Sequence, residues 1–221
     1  MDKKVRLISN GVDVDLCKVS GPDNPEKVSG RKPGMAMIFS LGRLIKRKGF
    51  DMAIEAMAIV HHIHPDVRLI IAGEGENLKL LQARITELAL EEVVTLAGRL
   101  SHHELMGLYA DCDIFLMPNR TLENGDAEGF GLVFLEANAF RKPVIGGRSG
   151  GAVDAIIHEK TGLLVDGTSA QAIAEAIIRM LEDEPLKRTM GENGYRWALD
   201  NDVKCKVDEF VEYCEQLVSG R

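Results

Sequence analysis

Absences narrow this chain first. Cysteine is scarce: Cys17, Cys112, Cys205 and Cys214 form no C-x-x-C pair and no regular framework, the usage expected of free thiols in a reducing compartment. No apolar window approaches a transmembrane span. The start, MDKKVRLISNGVDVD, has charges but no apolar core long enough for a signal peptide, so a cytoplasmic location is expected. Positive charge is in deficit, with 27 Lys+Arg against 34 Asp+Glu and a net charge of -7. That balance argues against nonspecific nucleic-acid binding and against a strong basic membrane patch, while leaving room for small anions to bind locally. There is no internal repeat, no low-complexity tract and no second run of strands. What remains is 221 residues, 45% hydrophobic and 28% charged, enough for one domain with a substantial core.

Within that length, short apolar runs alternate with helical spacing. Residues 5–8 read as a short strand, Asn10-Gly11-Val12-Asp13 as a turn, and Ser20 to Gly34, with three prolines and three glycines, as an extended connector. Strands are expected at Met35–Leu41, Val67–Ala72, Val93–Ala97, Asp113–Met117, Pro143–Gly146 and Gly162–Val165. The first helix carries Phe50, Ala53, Ile54, Met57, Ala58 and His61 on one face, and the second Leu78, Leu81, Ile85 and Leu88. Ser101 with Glu104 three places on is a capping box that starts a helix to Tyr109. A further helix is read over the stretch that opens at Glu128, before the strand at Pro143, and a short one runs from Gly150-Gly151 through Ile157. Three more close the chain, around Ile173–Leu181, Leu186–Leu199 and Val203–Val218. Strands alternating with helices at this spacing predict parallel crossovers: an α/β fold with a single doubly wound, Rossmann-like, six-stranded parallel sheet and a C-terminal helical extension.

In such sheets the ligand lies beyond the carboxyl ends of the strands, so a site is expected in the loops after each strand. The richest stretch is EGFGLVFLEANAFRKPV, from Glu128 to Val144. Gly129 and Gly131 leave backbone N–H groups uncovered at a helix start, where phosphate or hydroxyl oxygens are attracted. Glu136 projects from an otherwise apolar helix and therefore needs a partner. Eight helical rises would place it about 12 Å from Glu128, the reach from a sugar ring to a ribose. After the first strand, Gly42 precedes a run in which Arg43 and Lys48 stand with Lys46 and Arg47. This cluster reads either as a pyrophosphate site or as a solvated approach to the next helix. Arg99 and Leu100 either frame a base or are ordinary loop residues. His61, His62 and His64 suggest a metal cluster only superficially, because 62 points away from the face that 61 and 64 share; a core or surface role is expected.

Taken in order, these motifs resemble the C-terminal, nucleotide-sugar-binding domain of family 4 (group 1) retaining glycosyltransferases of the GT-B fold, from Asn10 to about Trp197. Asn10-Gly11-Val12-Asp13 looks like the approach to the second domain, Gly42-Arg43 with Lys48-Gly49 like the basic phosphate site, Gly73-Glu74-Gly75 like the loop after the second strand, and Glu128 with Glu136 like the glutamate pair. The resemblance implies that Arg43 and Lys48 hold the diphosphate and Glu136 the ribose hydroxyls. It implies that Glu128 faces the donor sugar, as one wall of a cradle with Arg43 and Lys48 opposite. The N–H groups of Gly129, Phe130, Gly131 and Leu132 would meet the sugar or distal phosphate. Gly42, Gly73, Arg99 and Leu100 complete the donor-contacting set, and Glu128, Arg43 and Lys48 are the catalytic candidates.

The implied donor is a GDP- or UDP-sugar, with no other cofactor and no metal. RTLENGDAEGFGLVFLEANA and SGGAVDA look most similar to mannosyltransferases acting on lipid or polyprenyl-type acceptors, which suggests GDP-mannose and a parent enzyme peripheral to a membrane. Asp154, where many relatives carry glutamate, and Arg148, where a small residue is common, depart from that pattern. The expected divisions are a hinge and connector at 1–34, the binding domain at 35–200, and a helix at 201–221 that packs toward an N-terminal acceptor domain. That acceptor domain is expected in the rest of a longer polypeptide or in another chain, so this chain alone should bind donor and transfer poorly. A noncatalytic nucleotide-sugar sensor, or the donor half of a split enzyme, is the alternative. Nucleic acid is not an expected partner.

Overall fold

The strand-forming runs are almost wholly apolar, which suits a sheet covered on both faces. In the computed structural model, which describes residues 5–19 and 30–219, they form β1 (Ala36–Leu41), β2 (Val67–Ala72), β3 (Val94–Gly98), β4 (Ile114–Met117), β5 (Val144–Gly147) and β6 (Gly162–Val165). These make one six-stranded sheet in the order β3-β2-β1-β4-β5-β6, parallel at every pairing. β1 pairs with β2 from Ala36 opposite Val67 to Leu41 opposite Ala72. All residues of β4 and β5 are buried, whereas β3 at the edge is largely half-buried or exposed.

Parallel neighbours need long crossovers, and each is made by a helix. α1 (Val14–Val19) precedes the sheet. Then come α2 (Phe50–Ile63), α3 (Leu78–Glu87), α4 (His102–Asp111), α5 (Leu132–Ala139), α6 (Ala152–Ala155), α7 (Ala170–Glu182), α8 (Glu184–Asp200) and α9 (Val203–Ser219). The chain winds outward from β1 to β3, returns to β4 beside β1, and winds outward the other way. With right-handed crossovers this divides the helices between the two faces. Accordingly α2 packs on α3 and α7, while α5 packs on α8 and α1. The reversal between β1 and β4 opens a crevice at their carboxyl ends, and it sits over an aromatic part of the core. Phe39, Tyr109, Phe115 and Phe134 are fully buried there; Phe39 meets Tyr109 edge-on at 5.0 Å and Phe115 meets Phe134 edge-on at 5.8 Å. Burial of each such side chain contributes about 1.5–3 kcal/mol.

Several local expectations need correction. Residues 5–8 are not a strand; they make no sheet pairing. Asn10–Asp13 is more than a turn: Val12 N–H donates to Asn201 O at 3.0 Å and Val12 O accepts from Val203 N–H at 2.9 Å. Asp13 Oδ1 accepts from Leu16 N–H at 2.8 Å and so starts α1, a helix the spacing did not reveal. The connector expected over 20–34 lies largely outside the described residues. The helix expected through Ile157 ends at Ala155. A second apolar cluster of Val12, Val14, Cys17, Leu135, Ala139 and Ala198 fastens the N-terminal segment to α5 and α8. α9 is amphipathic but carries no buried residue, and Val207, Phe210, Val211, Leu217 and Val218 are exposed.

Candidate functional site

The loops at the crevice are held by backbone contacts that only glycine permits. A Cβ on Gly73 would collide with the Gly42 carbonyl oxygen, one on Gly75 with the Leu44 carbonyl, and one on Gly49 with the Pro118 carbonyl. Leu44 N–H donates to Glu74 O at 2.9 Å and Gly73 N–H to Gly98 O at 2.7 Å, so the loops after β1, β2 and β3 brace one another. Gly49 ends a single 3-10 turn, Lys46–Lys48, with φ 73, a left-handed conformation that suits glycine. Arg120 N–H donates to Arg47 O at 2.8 Å, tying this basic loop to the loop after β4. The Arg120 guanidinium then grips both Asp51 oxygens, at 3.0 and 2.7 Å.

This scaffold carries Lys48 inward. A Cβ on Gly42 would press Lys48 Cε at 3.3 Å, so that glycine leaves the path for the lysine stem. Lys48 Nζ stands 2.7 Å from Glu128 Oε2 and 3.3 Å from Met117 Sδ. Arg47 Nη1 reaches the same Glu128 oxygen at 2.8 Å and its Nε approaches Asp126 at 3.4 Å. Lys48 and Glu128 are each 10% exposed at the side chain. Two cations thus share one carboxylate oxygen, with Lys48 in direct contact with Glu128. Arg47, not Arg43, is the arginine in this contact. Arg43 is exposed, and no ion pair to it occurs among the described residues. A turn of only three residues, entered from an extended Ile45 (φ -130, ψ 157), selects which arginine points inward.

Glu128 lies in the loop before α5, not on the helix, because Gly131 is left-handed (φ 86) and α5 begins at Leu132. The two carboxylates thus span a loop–helix junction, and the helical spacing of about 12 Å does not apply to them. The Gly150-Gly151 pair supports this loop: Gly151 N–H donates to Glu128 O at 2.8 Å, and a Cβ at either glycine would strike the backbone of 128–130. No side chain caps α5. Gly129 is exposed and a Cβ there would meet nothing within 4 Å. Cations beside an uncapped helix start suit a phosphate or another oxyanion.

Further along α5, Glu136 Oε2 accepts a hydrogen bond from Tyr109 Oη at 2.6 Å. Burial pushes the Glu136 carboxyl above the ordinary carboxylate value, opposed by that hydrogen bond and by His102. Burial, reinforced by Glu136, holds the Tyr109 hydroxyl well above its usual range. Cys17 and Cys112 are pushed up to about 12, in both cases chiefly by burial, and all four cysteines are unpaired. Arg99 is exposed, while Leu100 packs against the core. The capping box is present: Glu104 N–H donates to Ser101 Oγ at 3.3 Å and Ser101 N–H to Glu104 Oε2 at 2.8 Å.

Asn119 was not anticipated. It is fully buried and joins the ends of β4 and β5, accepting from Gly147 N–H at 3.1 Å and donating to Ser149 O at 2.8 Å. Its only sequence signal is its place just after a strand. Tyr109 gave less signal still, being 27 residues from its carboxylate partner. Arg148 and Asp166 flank a polar hollow of 330 Å³ at the ends of β5 and β6. Asp154 lines a cavity of 500 Å³ with Asn10, Phe130 and Trp197. His64 lies 3.3 Å from Glu182, and among the described residues no group of three His, Cys, Asp or Glu side chains is placed to hold a metal ion. Nor is any described helix long and apolar enough to cross a membrane.

The family profile described as "Glycosyl transferases group 1" matches residues 23–197. A GDP-mannose-dependent alpha-(1-6)-phosphatidylinositol monomannoside mannosyltransferase of Mycolicibacterium smegmatis is 42% identical over 166 residues, covering 75% of this chain and 44% of that protein. A D-inositol 3-phosphate glycosyltransferase of Corynebacterium jeikeium is 33% identical over 199 residues, covering 85% of this chain and 46% of that one. The chain thus spans about half the length of the curated relatives it matches. Among solved structures, Anabaena Alr3699/HepE in complex with UDP and glucose superposes with a TM-score of 0.80 at 27% identity, covering 95% of this chain and 56% of that one. The C-terminal domain of LpcC, a group 1 family protein from Francisella tularensis, gives 0.72 at 26% identity over 86% of this chain and 97% of that one.

Proposed function

Because this chain belongs to the group 1 glycosyl transferases, we propose that it is the donor-binding part of a retaining hexosyltransferase, taking a nucleotide-diphosphate sugar, with GDP-mannose as the favoured donor. The observation that carries the proposal is the Lys48–Glu128–Arg47 contact at the β1/β4 reversal, 2.7 and 2.8 Å across, beside the uncapped start of α5. A diphosphate entering there exchanges Glu128 for its own oxygens on Lys48 and Arg47, with Arg43 at the exposed rim. The negative charge that grows on the leaving diphosphate is then met by these cations and by the N–H groups of 129–132. Glu128, displaced from the cations, faces the sugar; Glu136 accepts from the ribose hydroxyls, and Arg99 and Leu100 flank the base. No covalent protein nucleophile and no metal enter this scheme.

The mannosyl donor is supported by the names of the most similar relatives, which also point to an anionic glycolipid acceptor at a membrane surface. Transfer belongs to the whole protein, with the acceptor domain supplied outside this chain. The division into 1–34, 35–200 and 201–221 is part of the same proposal.

Titration calorimetry with GDP, UDP and ADP tests the reading, with binding of GDP expected. Lys48→Ala should lose charge-assisted bonds of about 1.5–3 kcal/mol, or roughly tenfold to over a hundredfold in affinity. A folded chain that binds none of the three, or a Lys48→Ala variant that binds as well as the parent, is incompatible with this site.

A further inference from the structure

Tyr109 is a polar side chain locked into an apolar setting. Its ring is fully buried, stacked on Phe140 at 5.8 Å and 10° and set edge-on to Phe39 at 5.0 Å and 84°. A phenol so enclosed has little rotational freedom, and its hydroxyl must find a partner where the ring points. It has one proton to give. The Val133 carbonyl lies 3.5 Å away, while Glu136 Oε2 is at 2.6 Å, so the proton goes to the carboxylate. Among the described residues no hydrogen bond engages the other Glu136 oxygen, Oε1.

We propose that Tyr109 is the positioning residue of the nucleotide site, clamping Glu136 Oε2 so that Oε1 is presented to the ribose hydroxyls of the donor. The proposal rests on the assignment of Glu136 to the ribose. Glu136 has three side-chain torsions, and ordering such a chain at the moment of binding costs affinity. An aromatic pillar that orders it beforehand removes that cost. The clamp also spans two elements, since α4 carries Tyr109 and α5 carries Glu136. Phenylalanine would pack equally well and leave the carboxylate unheld.

The distinguishing readout is ribose discrimination, because loosening of the core would weaken every nucleotide alike. Calorimetry on the 221-residue chain would compare GDP with 2′,3′-dideoxy-GDP and UDP with 2′,3′-dideoxy-UDP. In the unaltered chain the ribose form of the preferred base should bind about tenfold tighter than its dideoxy counterpart, the scale of a charge-assisted hydrogen bond. Tyr109→Phe should cut that ratio to roughly threefold or less, with dideoxy affinity unchanged. Equal weakening of both ligands, or an unchanged ratio, overturns the positioning role and leaves Glu136 at the ribose. A ratio near one in the unaltered chain, or no binding by any probe, overturns the assignment of Glu136 and the proposal with it. Should Tyr109→Phe fail to fold, the pair Glu136→Gln and Tyr109→Phe/Glu136→Gln serves instead, since a neutral amide leaves no unpaired buried charge. The ratio should be lower in the double variant than in Glu136→Gln alone, and equal ratios overturn the proposal.

Discussion

Glu136 shows how much a single side chain depends on its surroundings. Tyr109 and His102 face it from α4, and Cys17 from α1. Burial outweighs its hydrogen bond, so its carboxyl is raised from the ordinary 4.5. A carboxyl raised in the folded state holds a proton there that the unfolded chain has already lost. Its contribution to stability is therefore present below the unfolded value and is lost as pH rises through the folded one. Donor binding runs the other way, because the ribose hydroxyls need the ionised form as acceptor. GDP affinity should fall as pH is lowered from neutrality toward the carboxylate range, and Glu136→Gln should flatten that limb. Calorimetry across that range is the check; a limb of equal size in both proteins assigns the titration to another group. The carboxylate itself was legible in the sequence, as the one acid on an apolar helix. Its phenolic partner was not, because nothing local links positions 27 apart. The choice of Arg47 over Arg43 was equally hidden, since it depends on one short 3-10 turn entered from an extended residue.

At the scale of the element, the helix signals that could be read were the local ones. The Ser101/Glu104 pair marked the start of α4 because both halves of the box lie within four residues. Replacing Ser101 with alanine should lower stability by about 1 kcal/mol, read as a shifted urea midpoint with an unchanged slope. A loss under a few tenths of that would mean the cap contributes nothing here. Because α4 bears Tyr109, the same variant also checks whether fraying at one end of the helix reaches the clamp near the other. Boundaries were less legible. α5 starts after Gly131 because of a left-handed backbone (φ 86), and α1 has only six residues, too few to show a helical period. The glycines of 73–75 and 150–151 marked turns in the sequence, but the carbonyl each must admit belongs to a distant loop.

At the scale of the molecule, the sheet brings the site together from loops about eighty residues apart: Arg47 and Lys48 after β1, Glu128 before α5. A ligand that bridges them stabilises the folded chain by mass action. GDP at a hundredfold over its dissociation constant should add about 2.7 kcal/mol, raising Tm by roughly 5–10 °C for a domain of this size. Scanning calorimetry with and without GDP measures this, and an unchanged Tm at saturating nucleotide contradicts a site that joins the two halves of the sheet.

The amino-acid sequence by itself determined the fold class, the six strands, the helices that follow β1 and the chemical character of the strand-end loops. These follow from periodicity and from turn residues, which act over a few positions and so leave a local record. Tertiary structure alone decided which cation meets Glu128, that Glu128 stands off the helix, that Tyr109 holds Glu136, and that the N-terminal segment is fastened to α8 through Val12. Each of these is a contact across the fold, settled by how parallel strands and their crossovers stack in space, and close packing of the whole chain selects among partners that no single segment can distinguish.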